Sequence, residues 1–171
     1  MSDSCNDNSR KMERLRYHST MPLPPLTRRT LLAFAACALL APSARAAQTV
    51  TLNISSDGDF LAFTPEELTC RTGARVRLIF HHEGESLAQE HNWVLLKPGT
   101  EEAFITAAFK AGDEKGWMPP HDKRVLAATP LCGPGKTAMV EFTAPAPGDY
   151  PFLCSYAGHG EEMRGMLHVT A

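Results

Sequence analysis

From residue 50 onward, apolar side chains alternate with polar ones in short bursts. Val50, Leu52 and Ile54 do so, then Val76, Leu78 and Phe80, then Val140 and Phe142, Phe152 and Cys154, and Leu167 and Val169. A period of two belongs to a strand with one face buried. Gly and Pro interrupt the bursts at Gly73, Gly84, Pro98-Gly99, Gly133-Pro-Gly135 and Pro145 to Gly148, where turns are expected. Many short strands punctuated in this way predict an all-β fold, an antiparallel Greek-key β-sandwich. One stretch differs: Thr100 to Ala111 opens with Thr and two Glu and stops at Gly112. That predicts one short helix inserted between strands. Trp117-Met-Pro-Pro-His121 reads as an irregular loop.

The leading segment carries another pattern. Arg28-Arg29 precedes an apolar run from Leu31 to Ala41, and Ala44-Arg45-Ala46 follows it. A basic stretch, a short apolar run and an A-x-A site make an export signal, and the run is too short to span a bilayer as a helix. The paired arginines resemble a twin-arginine (Tat) signal, but basic residues also open Sec signals, so both routes stay open. Cys37 sits mid-run and is treated as part of the signal. Residues 1–20 lack apolar periodicity, and Met12 or Met21 would give a more ordinary signal length. The expected division is an N-terminal extension and export signal over 1–46, then one domain over 47–171. The domain is periplasmic, has no membrane span after processing, and at about 125 residues can bury a single core.

Removing the leader changes the charge. The whole chain is at −2, but residues 47–171 hold 16 acids against 10 bases. An acidic exported domain is a poor nucleic-acid binder and suits a basic partner, because complementary fields speed encounter.

The candidate chemistry lies near the end of the chain, in Cys154-Ser-Tyr-Ala-Gly-His159-Gly-Glu-Glu-Met163. Thiolate, imidazole and thioether follow as Cys-x4-His-x3-Met, the ligand types of a blue-copper site, which takes two His and one Cys in a plane with a weak axial Met. His91, in Glu90-His91-Asn92-Trp93, is the candidate second imidazole. Gly158 and Gly160 flank His159 and permit a tight or left-handed turn. Each residue alone would more often be packing or surface; the spacing of the set is what points to a metal. Trp93 reads as core, and Glu161 and Glu162 as a solvated loop. His81, His82, His121 and His168 read mostly as ordinary surface residues, and a second metal site at His81-His82 lacks a third ligand at a suitable spacing. Cys70 and Cys132 remain, and in an oxidising compartment they can pair.

His91-Asn-Trp-Val-Leu, Thr129-Pro-Leu-Cys-Gly-Pro-Gly135, and Pro145 through Cys154 to Gly165 resemble the azurin and auracyanin branch of the cupredoxins. The similarity extends over most of residues 48–171. It implies a cupredoxin-like sandwich binding one type 1 copper, with His91, Cys154 and His159 equatorial and Met163 axial. It also implies a backbone carbonyl contact from Glu90, which stands where azurins usually carry Gly. Asn92 and Ser155 would form a hydrogen-bonded clip between the two ligand segments. The function implied is a one-electron carrier and no enzyme, working with redox partners such as a c-type cytochrome or an oxidase or reductase. Its electron port would be the His159 edge in an apolar patch that Phe60, Tyr156 and Ala157 help build. Ala157 stands where azurins usually have Pro, and Gln89 where they usually have Met. The alternative from another class is a periplasmic copper carrier or delivery protein, which tends to use exposed, exchangeable ligands. A copper enzyme such as a nitrite reductase needs further domains and a second, open metal.

Overall fold

In the computed structural model residues 49–86 and 89–171 are described, and the export signal expected over 1–46 lies outside them. Among these residues the elements in chain order are β1 Thr49–Asp57, β2 Phe60–Thr64, β3 Glu67–Arg71, β4 Arg75–His81, β5 Val94–Leu96, α1 Glu101–Ala111, β6 Val125–Ala128, β7 Thr137–Thr143, β8 Gly148–Leu153 and β9 Arg164–Thr170. A single 3-10 turn, Asp113–Lys115, follows the helix.

The strands form two sheets, ordered β2-β1-β4-β7 and β3-β9-β8-β5-β6. The expected sandwich is present, with most neighbours antiparallel. Two pairs, β1 with β4 and β3 with β9, run parallel. Connectivity explains the first: β2 and β3 belong to different sheets, so β4 returns beside β1 in the same direction rather than as its hairpin partner.

The alternating positions face one another across the sandwich. Ile54, Val76, Leu78 and Phe80 meet Leu68, Trp93, Leu95, Phe152, Leu167 and Val169 in one buried cluster. Phe63 lies edge-on to both Phe80 and Phe152, with ring centroids 5.9 and 5.3 Å away. Fully burying such side chains contributes about 1.5–3 kcal/mol each, so this cluster fixes the spacing of the sheets and of the strand ends beside His91 and Cys154.

Trp93-Val94-Leu95-Leu96 does not alternate, and the structure gives the reason. Trp93 and Leu95 join the core between the sheets, whereas Val94 and Leu96 pack outward with Phe104, Ala108 and Leu153. A strand covered on both faces reads as a continuous apolar run. Phe104 and Ala108 stand four apart on α1 and supply the cover. The helix starts at Thr100 as expected, but the Thr100 hydroxyl donates to the Lys97 carbonyl (2.7 Å) and does not cap. Gly112 ends the helix at φ 73°, with its N–H bonded to the Ala108 carbonyl.

Candidate metal centre

The last residue of β8 is Leu153, and the next side chain, Cys154, keeps the inward parity of Phe152 and is fully buried. The chain then folds back on itself. The His159 N–H donates to the Tyr156 carbonyl (3.0 Å), the Met163 N–H to the His159 carbonyl (2.8 Å), and the Cys154 N–H to the Met163 carbonyl (3.0 Å). Gly158 makes the first turn, since its φ of +80° is a left-handed value that a side chain would disfavour. Gly160 serves by closeness instead: a Cβ there would sit 3.0 Å from both the Cys154 carbonyl and Ile105 of α1. The helix thus packs against the loop.

His91 comes from the other direction. It exchanges two backbone hydrogen bonds with Cys132, at 3.1 and 2.9 Å. Trp93 is anchored next to it, its N–H donating to the buried Thr129 hydroxyl at 2.9 Å. The two ligand segments are tied directly. Asn92 Nδ2 donates to Ser155 Oγ, and the Ser155 N–H donates to Asn92 Oδ1, both at 2.8 Å.

Three donor atoms converge between these segments. Cys154 Sγ lies 3.8 Å from His91 Nδ1 and 3.9 Å from His159 Nδ1, and the two nitrogens are 3.1 Å apart. A point in their plane about 2.1 Å from all three exists, which is the length of a metal bond to imidazole nitrogen and within about 0.2 Å of one to thiolate sulfur. The residues therefore fit a three-coordinate metal. His91 and Cys154 are wholly buried, and His159 keeps 8% of its surface exposed.

The electrostatics suit neutral imidazoles. Burial, then the neighbouring His82 and His159, press His91 down to about 4, and burial lowers His159 as well. Burial pushes the Cys154 thiol up to about 11, opposed by the N–H groups of Asn92 and Tyr156 near the sulfur. A bound cation reverses that and holds the thiolate.

Met163 is fully buried, one loop turn from His159, and its backbone bonds to both His159 and Cys154. Glu90 is exposed. Phe60 opens β2 and is also exposed, whereas Tyr156 and Ala157 are half-buried in the ligand loop.

One sequence expectation is corrected, and one pairing that the sequence left open is excluded. His82 is no surface residue: it is fully buried, takes a hydrogen bond on Nδ1 from the Gly84 N–H, and packs its ring 4.5 Å from that of His91. The missed signal was parity, since His82 continues the inward series of Val76, Leu78 and Phe80. Cys70 and Cys132 are both free thiols. Cys70 pairs with Val169, which pairs with Gly148 at the start of β8, whereas Cys132 pairs with His91 at the end where Cys154 emerges. That is roughly 20 Å of strand, beyond any disulfide's reach.

The family profile described as copper binding proteins, plastocyanin/azurin family, matches residues 49–170. The chain belongs to this family. Auracyanin-A of Chloroflexus aurantiacus is 38% identical over 123 residues, 71% of this chain and 75% of that protein. An azurin of Methylobacillus flagellatus is 35% identical over 141 residues, 79% of this chain and 95% of its own. Among solved structures, auracyanin A, described as a "blue" copper protein, superposes with a TM-score of 0.66 and covers 71% of this chain and 99% of that one. A dithionite-reduced auracyanin of Roseiflexus castenholzii gives 0.67 at 35% identity, covering 72% of this chain and 99% of that one. The cofactor of this plastocyanin/azurin member is copper, and His91, Cys154 and His159 form a ligand group consistent with a type 1 site.

Proposed function

We propose that residues 47–171 form an exported one-electron carrier, with His91, Cys154 and His159 as equatorial copper ligands and Met163 axial. The observation that carries this reading is the convergence of two Nδ1 atoms and one Sγ at mutual distances that suit a single metal. Copper held by a thiolate and imidazoles supplies a Cu(I)/Cu(II) couple.

The chain's own residues do the rest. His91 and His159, neutral because buried, offer lone pairs at neutral pH. The Asn92–Ser155 clip fixes the separation of the two ligand segments and bears on the environment of the sulfur. Trp93 and Phe152, packed in the core with tilted rings 5.6 Å apart, hold the strands behind the ligands. A frame so fixed changes little between oxidation states. His159 reaches the surface and is the electron port. The Glu90 carbonyl is proposed as a further, weak contact.

The acidic domain suits a basic redox partner, such as a c-type cytochrome or an oxidase or reductase. Residues 1–46 direct it to the periplasm by the Tat or Sec route and are removed. Copper delivery has less support, because exchange needs exposed ligands and these are buried. The test is to add Cu(II) to the purified protein and record visible and EPR spectra. An intense blue band with a narrow copper hyperfine pattern is expected; colourless uptake would overturn the assignment.

A further inference from the structure

Trp117 combines three oddities. Its φ is +54°, directly after the left-handed Gly116, and a bulky residue rarely holds that conformation. Its indole Nε1–H is buried with no hydrogen-bond partner among the described residues. Its ring also stands between two other aromatics. Tyr156 lies 5.8 Å away on one side and Phe109 of α1 6.2 Å away on the other. Backbone strain of this kind persists where the surrounding structure over-determines it and clusters at functional sites, and a buried donor without a partner calls for an explanation.

The stack has a direction. Tyr156 packs 4.7 Å from the ring of His159, so rings in contact run from His159 through Tyr156 and Trp117 to Phe109. Phe109 is 66% exposed. Every spacing falls in the range of interacting aromatic pairs. The other stack at the centre, His91 on His82, leads inward and ends in the fully buried His82. Among the described residues, one row of rings therefore joins the ligand group to solvent besides the His159 edge itself.

We infer that Tyr156 and Trp117 form a second electron path, bridging His159 to a one-electron acceptor at the α1 face. The inference rests on the copper assignment above. One electron passes from the reduced site to the acceptor. No bond forms or breaks, no proton moves, and neither ring is itself oxidised, because the rings act as a tunnelling bridge. Trp117 is here a positioning residue for electron flow, acting through Tyr156.

The test uses purified protein with a ruthenium polypyridyl photo-oxidant attached to a histidine placed beside Phe109 by Lys110→His. A reference sample carries the same label on native His168, which lies on β9 bonded to Asp149. Flash oxidation of the label draws one electron from Cu(I). Trp117→Leu opens a gap of about two ring spacings in the row and slows transfer from position 110 on the order of tenfold, with the His168 rate unchanged. Trp117→Phe restores most of the rate.

A blue Trp117→Leu protein with an unaltered rate from position 110 would overturn the path and leave the copper site standing. Wild-type protein that gives no blue site overturns the copper assignment and the path together. A second measurement survives a Leu variant that fails to fold. The emission present in wild type and absent in Trp117→Phe is bright in metal-free protein and strongly quenched once Cu(II) is loaded. Unquenched emission would overturn the path.

Discussion

Cys70 and Cys154 are both buried thiols of one five-stranded sheet, Cys70 within β3 and Cys154 just past the end of β8, near opposite ends of the sheet. Burial raises the pKa of each. Around Cys70 are apolar core neighbours. Around Cys154 stand two imidazole nitrogens, a clip of paired hydrogen bonds, and N–H groups near the sulfur. Burial alone makes a thiol inert. What separates the two ends is a loop that brings Nδ1 lone pairs to the sulfur and cross-links that keep them there.

The sharpest way to break this contrast is to replace Cys154 by Ser. The blue band should vanish entirely, because its source is the copper–thiolate bond, while Met163→Leu should keep the colour and shift the potential. Visible spectra of the loaded variants decide it; strong blue absorption in Cys154→Ser would erase the distinction between the two ends.

The next effect concerns protons. In metal-free protein His91 titrates near 4 when folded and near 6.5 when unfolded. Between those values the unfolded chain binds the extra proton, so stability is complete above about 6.5 and falls as pH drops toward 4. The loss is about 3 kcal/mol from His91 alone. His159 and His82 are shifted the same way and add to it. Urea midpoints measured from pH 7 to 4 test this, and a flat profile would mean the imidazoles are not desolvated. Copper loading should remove the early part of the slope, since a bound cation excludes the proton.

Third is the clip. Asn92→Ala removes both bonds to Ser155. Loss of such an outer contact lowers metal affinity roughly 10–100-fold, read by competition with a chelator. Affinity equal to wild type would show that the strands alone hold the ligand segments.

The legibility of this fold followed parity. Strands with one buried face, such as β4 and β9, show themselves by alternation, and the helix by its acidic start and Gly112 stop. Trp93 to Leu96 gives no period, because a helix covers its second face, and that cover is a tertiary fact. The candidate loop was legible because Cys154, His159 and Met163, the ligands proposed from it, are close in sequence. His82 was overlooked although its parity was visible, since a histidine on priors belongs outside. The Tyr156–Trp117–Phe109 row was not legible at all. Its members are distant in sequence, and only the left-handed turn after the 3-10 segment aims Trp117 between the others.

The smallest effect comes from the quiet end. Cys70→Ala leaves a gap about the size of a methyl group and should cost about 1 kcal/mol, with the blue spectrum unchanged. Cys70→Ser should cost more, about 1–3 kcal/mol, because it buries a hydroxyl among Leu68, Leu167 and Val169 unless it finds a backbone partner. The same Cys-to-Ser change thus removes stability at one end and colour at the other. Thermal melts alongside visible spectra of the two Ser variants resolve the pair. A Cys70→Ser protein that melts as wild type does while losing its blue band would mean that the two ends are coupled through the sheet.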